Sequence, residues 1–337
     1  WKSSYFDRRS ASDLLRGECV WVEVFRVPRR ALSVVTLTLL CILSRTGLGC
    51  SRSYAGFASS RMAAVGRAAA ATERLAVVTG ANKGIGWHIA DKLVKAGGFK
   101  VVVACRDPTL GEKAAQELGA QFEQLDLASD ESIDDFAKRV ASKYGRLDIL
   151  VNNAGLAFKA ADPTPFEQQT GPTLKVNFWG TTRLTDALLP LLRASAAQGQ
   201  GPRLVNVASM AGRLGQVSPE LQQRFSSRDL TREVLNGLIS KFEQDVAAGR
   251  PSQEGWGKSN YGLSKLAVIA YTKIVAREEG DAMRVNACCP GYCDTDMTSH
   301  RGSRPPAQGA ENAVKLALLP DAGPTGEFWQ DLQVSSW

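Results

Sequence analysis

The sequence predicts a doubly wound α/β fold, with a parallel sheet of about seven strands in the order 3-2-1-4-5-6-7. Short apolar runs alternate with amphipathic helical patterns from Leu75 onward, which is typical of β-α-β units. A glycine-rich turn from Thr79 to Gly86 separates the first strand from the first helix. Because crossovers between parallel strands are right-handed, successive units place helices on both faces of the sheet.

The first half of the pattern is regular. A strand at 75–78 ends at the glycine-rich turn, and the helix after it carries its apolar residues on one side. Pro108 fits the first turn of the next helix, because its missing N–H group has no helical partner there. The elements predicted after the first helix are strands at 100–104, 122–125 and 147–151 and helices at 108–118 and 132–144.

The second half contains one interruption. The predicted elements are helices at about 172–192 and at 258–279, and strands at 203–207, 283–288 and 328–332. Between Ser209 and Tyr261 lie 51 residues, more than a short loop needs, and 230–246 within them has a helical pattern. We interpret residues 211–257 as a helical insertion over the mouth of the site, so that residues 73–337 form a single domain.

Residues 1–72 are predicted to lie outside this domain, either as a targeting segment or as spurious translation upstream of Met62. Two arginines precede a short apolar run at 31–43, as in a signal peptide, and residues 51–71 are rich in Ser, Ala and Arg without an acidic residue, as in an organellar transit peptide. If translation starts at Met62, we expect a cytoplasmic protein; the alternative is import into a plastid or a mitochondrion. No other apolar run is long enough to span a membrane, so we expect no membrane span in the body.

Charge and composition exclude several classes of function. The net charge of +7 comes from residues 1–70, and the remaining residues hold 30 Lys/Arg and 30 Asp/Glu. The body therefore has no net charge to attract a polyanion, and we expect no nucleic-acid partner. Seven cysteines without paired spacing, with His88 and His300 as the only histidines, favour buried thiols over a metal site or a Ser-His-Asp triad.

The glycine-rich turn predicts a dinucleotide site. Glycines let the backbone turn tightly after a strand and approach a pyrophosphate, which rests on the N-terminus of the following helix. The contacts predicted here are Gly80, Asn82, Lys83, Gly84, Ile85 and Gly86.

The residues after the second strand predict which dinucleotide binds. An NAD enzyme places a carboxylate there, on the ribose 2′-OH, whereas this chain has Cys105 and Arg106. Arg106 and Lys83 together suit a 2′-phosphate, which favours NADPH. We interpret Asp107 as the N-cap of the helix that begins at Pro108.

Further cofactor contacts are predicted where other strands end, because ligands bind at the carboxyl edge of such sheets. Asp126 after the third strand is expected near the adenine, and Thr295 near the nicotinamide carboxamide. The small residues of the Asn-Asn-Ala-Gly run at 152–155 allow the cofactor to pass close. The full set is Asp126, Leu127, Asn153, Ala154, Gly155, Pro290, Gly291 and Thr295.

Tyr261 and Lys265 lie one helical turn apart and are the candidates for proton transfer. A free phenol has a pKa of about 10, and Lys265 is expected to lower it so that Tyr261 acts as the acid. Lys265 is also expected to hold the nicotinamide ribose. Ser209 is expected to donate a hydrogen bond to a substrate carbonyl, and Asn177 to anchor a water that relays protons to Lys265.

Two further side chains are candidates for the substrate pocket. Met210 adjoins Ser209, and Trp256 lies in the insertion shortly before Tyr261. Packing in the core is the alternative for both residues.

Residues 75–337 resemble the short-chain dehydrogenase/reductase superfamily and, within it, the monomeric NADPH-dependent carbonyl reductases. The motifs that carry the resemblance are Thr79 to Gly86, Asn152 to Gly155, Asn177, Ser209, Tyr261 with Lys265, Asn286 to Gly291, and the long segment before Tyr261 with Glu254 to Trp256. Position 208 is Ala, where the family commonly has a second Ser.

The resemblance implies a Rossmann-like fold with Asn177, Ser209, Tyr261 and Lys265 as the catalytic set. It also implies a monomer, because the insertion covers the surface through which other members associate, and substrates such as quinones, aromatic ketones and reactive aldehydes. The alternatives are a dehydrogenase/reductase of one specialised secondary alcohol or ketone, and a non-catalytic NADPH-binding sensor on the same fold.

Overall fold

Eight strands form one sheet in the order β3-β2-β1-β4-β5-β6-β7-β8. The computed structural model describes residues 73–159 and 161–337, which belong to one compact unit. Every pair from β3 to β7 is parallel, and β8 pairs antiparallel with β7. The strands are β1 Arg74–Thr79, β2 Phe99–Cys105, β3 Gln121–Gln124, β4 Ile149–Asn152, β5 Arg203–Val207, β6 Arg284–Cys288, β7 Phe328–Gln330 and β8 Gln333–Val334. The predicted doubly wound fold and its strand order are confirmed.

Helices cover both faces of the sheet. They are α1 Gly84–Ala96, α2 Pro108–Leu118, α3 Asp130–Tyr144, α4 Phe166–Leu174, α5 Thr181–Ala197, α6 Pro219–Ser226, α7 Arg232–Ala247, α8 Asn260–Glu279, α9 Pro306–Gly309 and α10 Glu311–Ala317. As expected, Asp107 caps α2, with its side chain accepting from Leu110 N at 3.0 Å.

The structure differs from the sequence prediction in two regions. The helix expected at about 172–192 is α4, a π-helix at Lys175–Gly180 and α5 in succession, and π-helical turns are often found at functional sites. The strand expected at 328–332 ends at Gln330 as β7, because Asp331 and Leu332 have positive φ angles of 49° and 64° and turn the chain into β8. Helices α6, α9 and α10 lie in segments for which the sequence predicted no element.

Alternate residues of the central strands supply two cores. Val77 and Val102 pack into a core on one face, and their neighbours Val78 and Val103 pack into a second core on the other. Valine-rich strands that are buried on both faces are typical of parallel sheets. The two cores fix the sheet between its helices, so that the carboxyl ends of β1, β4 and β5 meet at one edge.

The predicted targeting segment, residues 1–72, lies outside the described residues. Within the described ranges, no helix combines the length and the apolar character needed to cross a bilayer.

Gly180 allows a close backbone contact between the π-helix and the loop after β3. It ends the π-helix and lies so near the loop after β3 that a Cβ atom would come within 2.1 Å of the Leu127 carbonyl oxygen. Since any side chain must push this loop away, glycine is required by space here rather than by φ.

The substitution Gly180→Ala is expected to destabilise the protein by about 1–3 kcal/mol, the usual cost of overpacking. Gly237→Ala in α7 is the matched control, because nothing lies within 4 Å of its added Cβ. That substitution should stabilise by about 0.4–1 kcal/mol through the unfolded state. Urea unfolding followed by circular dichroism measures both values, and a Gly180→Ala variant as stable as Gly237→Ala would contradict the packing.

Candidate active site

A cleft of about 700 Å³ lies at the carboxyl edge of the sheet, beside the ends of β1, β2, β4 and β5. The strand order reverses direction between β1 and β4, and ligands bind at such switch points in open α/β sheets. All of the predicted cofactor residues except Gly291 line the cleft: Gly80, Asn82, Lys83, Gly84, Ile85, Gly86, Arg106, Asp126, Leu127, Asn153, Ala154, Gly155, Tyr261, Lys265, Pro290 and Thr295.

Gly291 serves packing instead. Its φ angle is +84°, and a Cβ atom there would lie 2.7 Å from the guanidinium of Arg304. Arg304 in turn donates to the Pro290 carbonyl at 3.2 Å and to Asp331 at 2.7 Å. Gly291 therefore shapes the loop after β6, and its predicted cofactor contact stays a prediction.

The glycine-rich turn is built around Asn153. A Cβ atom on Gly86 would lie 2.3 Å from Gly80 O and 2.4 Å from Asn153 Nδ2. Asn153 Nδ2 donates to Thr79 O at 2.9 Å, and the Thr79 hydroxyl accepts from the backbone N–H groups of Asn153 and Ala154 at 3.0 Å each. These bonds join the ends of β1 and β4 and fix the floor of the cleft.

The N-terminus of α1 faces this floor without a side-chain cap. Its N-cap residue, Lys83, makes no capping bond, and the first turn holds no acidic residue. The first backbone N–H groups of a helix lack helical partners and carry positive partial charge. The turn therefore fits a pyrophosphate.

Two basic residues border the cleft near this turn. Arg106 follows β2 and is exposed, as expected for a 2′-phosphate ligand. Lys83 is expected in the same role, but its Nζ lies 2.5 Å from Asp296 Oδ2. The sequence did not predict this ion pair.

Lys265 is buried beneath the cleft and held by the end of β5. Its residue exposure is 5%, and its Nζ donates to the Val207 carbonyl at 2.8 Å. An ammonium group has three N–H donors, and this is its one hydrogen bond to the described part of the chain. A Cβ atom on Gly155 would lie 3.4 Å from Nζ, so the missing side chain keeps the ammonium accessible from the cleft. The remaining donors fit a ribose.

Tyr261 and Ser209 meet as predicted. The Ser209 side chain lies close enough to the Tyr261 phenol to affect its pKa, although the residues come from α8 and from the turn after β5. Close packing explains the meeting: a Cβ atom on Gly212 would lie 2.7 Å from Leu266 N, and one on Gly262 2.8 Å from Ala211 O. The short 3-10 turn at Met210–Gly212 thus rests directly on α8, with Ser209 as its N-cap.

The expected effect of Lys265 on the pKa of Tyr261 stays a prediction. Burial raises the pKa of Tyr261 to about 12, and the Ser209 side chain opposes this rise. Burial also lowers the pKa of Lys265 to about 8. The Lys265 ammonium lies 5.6 Å from the centre of the Tyr261 ring and donates its hydrogen bond to Val207 rather than to the phenol.

Asn177 lies in the π-helix, and both polar atoms of its carboxamide form hydrogen bonds within the protein. Its Oδ1 accepts from Leu156 N at 2.6 Å, and its Nδ2 donates to Leu156 O at 2.8 Å and to Ser264 Oγ at 2.9 Å. The side chain thus holds the segment after Gly155 against α8. The predicted water relay would have to use the second lone pair of Oδ1 or the backbone.

Trp256 does not line the cleft, so its predicted place in the substrate pocket is wrong. It is 4% exposed, its ring centre lies 5.4 Å from that of Phe242, and its Nε1 donates to the buried Asp245 at 2.7 Å. The core alternative therefore applies to Trp256. Met210, which follows Ser209, is partly buried. Its backbone N–H donates to Cys289 Sγ at 3.3 Å.

Several residues at the cleft were not predicted. The loop after β6 contributes Asp294, Asp296, Met297 and His300, and the segment after Gly155 contributes Leu156. The charges at 294–300 are visible in the sequence, but nothing local indicates that they face Lys83.

The four described cysteines are buried and unpaired, as expected for thiols. Within the described ranges, no His/Cys/Asp/Glu group is arranged to hold a metal ion.

Comparison with known proteins agrees with this geometry. Residues 74–219 match the family model described as short chain dehydrogenase, and residues 248–325 match one described as enoyl-(acyl carrier protein) reductase. Carbonyl reductase (NADPH) 1 from Homo sapiens is 44% identical over 277 residues, which cover 78% of this chain and 98% of that protein.

Two solved plant enzymes share the fold. Salutaridine reductase from Papaver somniferum is 31% identical, with a TM-score of 0.70 over 76% of this chain and 99% of that structure. Menthone neomenthol reductase from Mentha piperita is 34% identical, with a TM-score of 0.65 over 76% and 98%. With its sheet order, glycine-rich turn and Tyr261–Lys265 pair, the chain belongs to the short-chain dehydrogenase family of oxidoreductases.

Proposed function

We propose that this chain is an NADPH-dependent carbonyl reductase. The observation that carries the proposal is the placement of Tyr261 and buried Lys265 in one cleft that fits a dinucleotide, with Ser209 beside the phenol. The printed name of the human relative, carbonyl reductase (NADPH) 1, supports both the cofactor and the reaction.

Arg106 and Lys83 hold the 2′-phosphate of NADPH, and the uncapped end of α1 holds its pyrophosphate. Arginine suits phosphate because its planar fork donates two parallel hydrogen bonds. Lys265 holds the nicotinamide ribose through the N–H donors that Val207 leaves available. When bound, NADPH supplies the hydride for the carbonyl carbon.

Tyr261 gives its phenolic proton to the carbonyl oxygen, so that the carbonyl gains one hydride and one proton and becomes an alcohol. Burial raises the pKa of the phenol, so Tyr261 carries its proton at neutral pH until the transfer. Ser209 donates a hydrogen bond to the same oxygen as its charge develops. The nearby ammonium of Lys265 stabilises the phenolate that remains.

The substrate class follows from the carbonyl chemistry. Quinones, aromatic ketones and reactive aldehydes are the expected substrates. A reductase of one specialised ketone is the second candidate, because the printed names of the two plant structures refer to salutaridine and menthone. Activity spread across a panel of quinones and ketones favours the first reading, and activity confined to one ketone favours the second.

The insertion supports a monomer. Helix α7 buries Leu235, Leu238, Ile239 and Phe242 against neighbouring helices. Arg232 at its start pairs with Asp186 of α5 and with Glu278 of α8. This face of α5 and α8 is thereby covered by the chain itself.

Tyr261→Phe is expected to reduce turnover of menadione or isatin by about 10²–10⁴-fold, the usual contribution of a general acid. NADPH binding, measured by cofactor fluorescence, should remain, since the ring and Lys265 are kept. Tyr271→Phe on the same helix is the control: its hydroxyl donates to Asp186 at 2.7 Å, away from the cleft, so that variant should keep its turnover. Wild-type turnover by Tyr261→Phe would exclude the proposed acid, and a wild type without turnover would favour the sensor alternative.

Arg106→Glu is expected to weaken NADPH binding by about 10- to 100-fold, because a charge-assisted hydrogen bond contributes about 1.5–3 kcal/mol. NADH binding should change little, since NADH has no 2′-phosphate. Arg224→Glu makes the same charge change at an exposed position of α6 outside the cleft and serves as the control. Titrations that show equal losses for NADPH and NADH would contradict the assignment of the 2′-phosphate site.

A further inference from the structure

An ion pair bridges the cofactor cleft between the glycine-rich turn and the loop after β6. Lys83 Nζ and Asp296 Oδ2 lie 2.5 Å apart although the residues are 213 positions apart in the chain. Both residues line the cleft, and their side chains are 62% and 57% exposed. The pair therefore lies where a bound dinucleotide reaches it from solvent.

The two cations at the 2′-phosphate end are not equivalent. Lys83 has a carboxylate partner, whereas Arg106 pairs with no carboxylate among residues 73–159 and 161–337. Asp107, which follows Arg106, accepts from Leu110 N instead. Arg106 is thus ready for an anion, but Lys83 must leave Asp296 before it binds one.

We propose that Asp296 competes with the 2′-phosphate of the cofactor for Lys83, and so limits the preference of this chain for NADPH over NADH. The proposal rests on the proposed function, because it needs a cofactor with a 2′-phosphate. A phosphate monoester carries more negative charge than a carboxylate and has three acceptor oxygens. The 2′-phosphate therefore displaces Asp296 from Lys83. The loss of that ion pair makes the free energy of NADPH binding less favourable.

His300 is placed to keep Asp296 paired after Lys83 leaves. Its Nε2 lies 3.0 Å from Asp296 Oδ1, and its Nδ1 lies 2.8 Å from Asp294 Oδ1. Its hydrogen bond with Asp294, and next the one with Asp296, raise the pKa of His300. Asp296 thus has a second hydrogen-bond partner on its own loop, which makes exchange at Lys83 easier than the loss of an isolated ion pair.

The loop holds Asp296 in position independently of Lys83. Thr298 Oγ1 donates to Cys293 O at 2.6 Å, and Thr295 N donates to Thr298 Oγ1 at 3.2 Å in a capping box. Ser299 and His300 have φ angles of 51° and 57°, in the left-handed region that residues other than glycine rarely adopt. Asp296 therefore stays near the glycine-rich turn while Lys83, on its flexible stem, exchanges partners.

The test is the affinity of four proteins for NADPH and NADH, measured by calorimetric titration: wild type, Asp296→Asn, Lys83→Ala and the double variant. Asp296→Asn keeps the shape but removes the competing charge, so NADPH should bind about two- to fivefold more tightly, the range for an exposed ion pair. NADH should bind as before. In the Lys83→Ala background, Asp296→Asn should have no effect on either cofactor.

Asp135→Asn is the matched control for net charge, because Asp135 is an exposed partner of Lys138 at 3.0 Å on α3. It should leave both affinities unchanged. Three results would each overturn the competition: equal tightening of NADH, weaker NADPH binding by Asp296→Asn, or tightening that persists without Lys83. Failure of the proposed function gives a different result, namely a wild type that does not prefer NADPH and does not respond to Arg106→Glu.

Discussion

The hydrogen bond from the Lys265 ammonium to the Val207 carbonyl ties helix α8 to the sheet. It is 2.8 Å long and buried, and it joins α8 to the last residue of β5. Ser209 follows two residues after Val207, and Tyr261 lies one turn before Lys265 along α8. This bond therefore fixes the distance between the strand that leads to Ser209 and the helix that carries Tyr261. The cofactor cleft depends on the same contact, because Lys265 lines it.

Small residues make that arrangement possible. Gly155, Gly212 and Gly262 lie where three segments converge, and a Cβ atom on any of them would fall within 3.4 Å of a neighbouring atom. Asn177 adds hydrogen bonds from the π-helix to Leu156 and Ser264. The backbone segments of the site approach one another closely because these positions are glycine. Polar side chains then hold the segments together by hydrogen bonds, so the polar groups of the site lie next to one another.

Much of this was predictable from the sequence, because its signals are local. Strands of parallel sheets are short apolar runs, so β1, β2 and β5 were found to within one or two residues. The glycine-rich turn and the pair at 261 and 265 depend on spacing within one turn. The placement of helices on both faces then follows from the handedness of the crossovers, and the edge of the sheet brings these motifs together.

The features that the sequence did not predict depend on contacts between residues that are far apart in the chain. The Lys83–Asp296 pair joins residues 213 positions apart, and no local pattern connects them. Trp256 was assigned to the pocket, but the fold of the insertion places it against Phe242 and Asp245. The pKa of Tyr261 depends on its burial, which spacing along a helix does not determine.

The central claim is that Tyr261, Ser209 and Lys265 act on one carbonyl beside one nicotinamide ring. A crystal structure of the protein with NADP⁺ and a bound ketone or quinone tests it most directly. The account predicts the carbonyl oxygen within about 2.5–3.2 Å of both the Tyr261 Oη and the Ser209 Oγ atoms, with Lys265 on the nicotinamide ribose. A carbonyl oxygen bound away from Tyr261, or a nicotinamide ring outside the cleft, would contradict it.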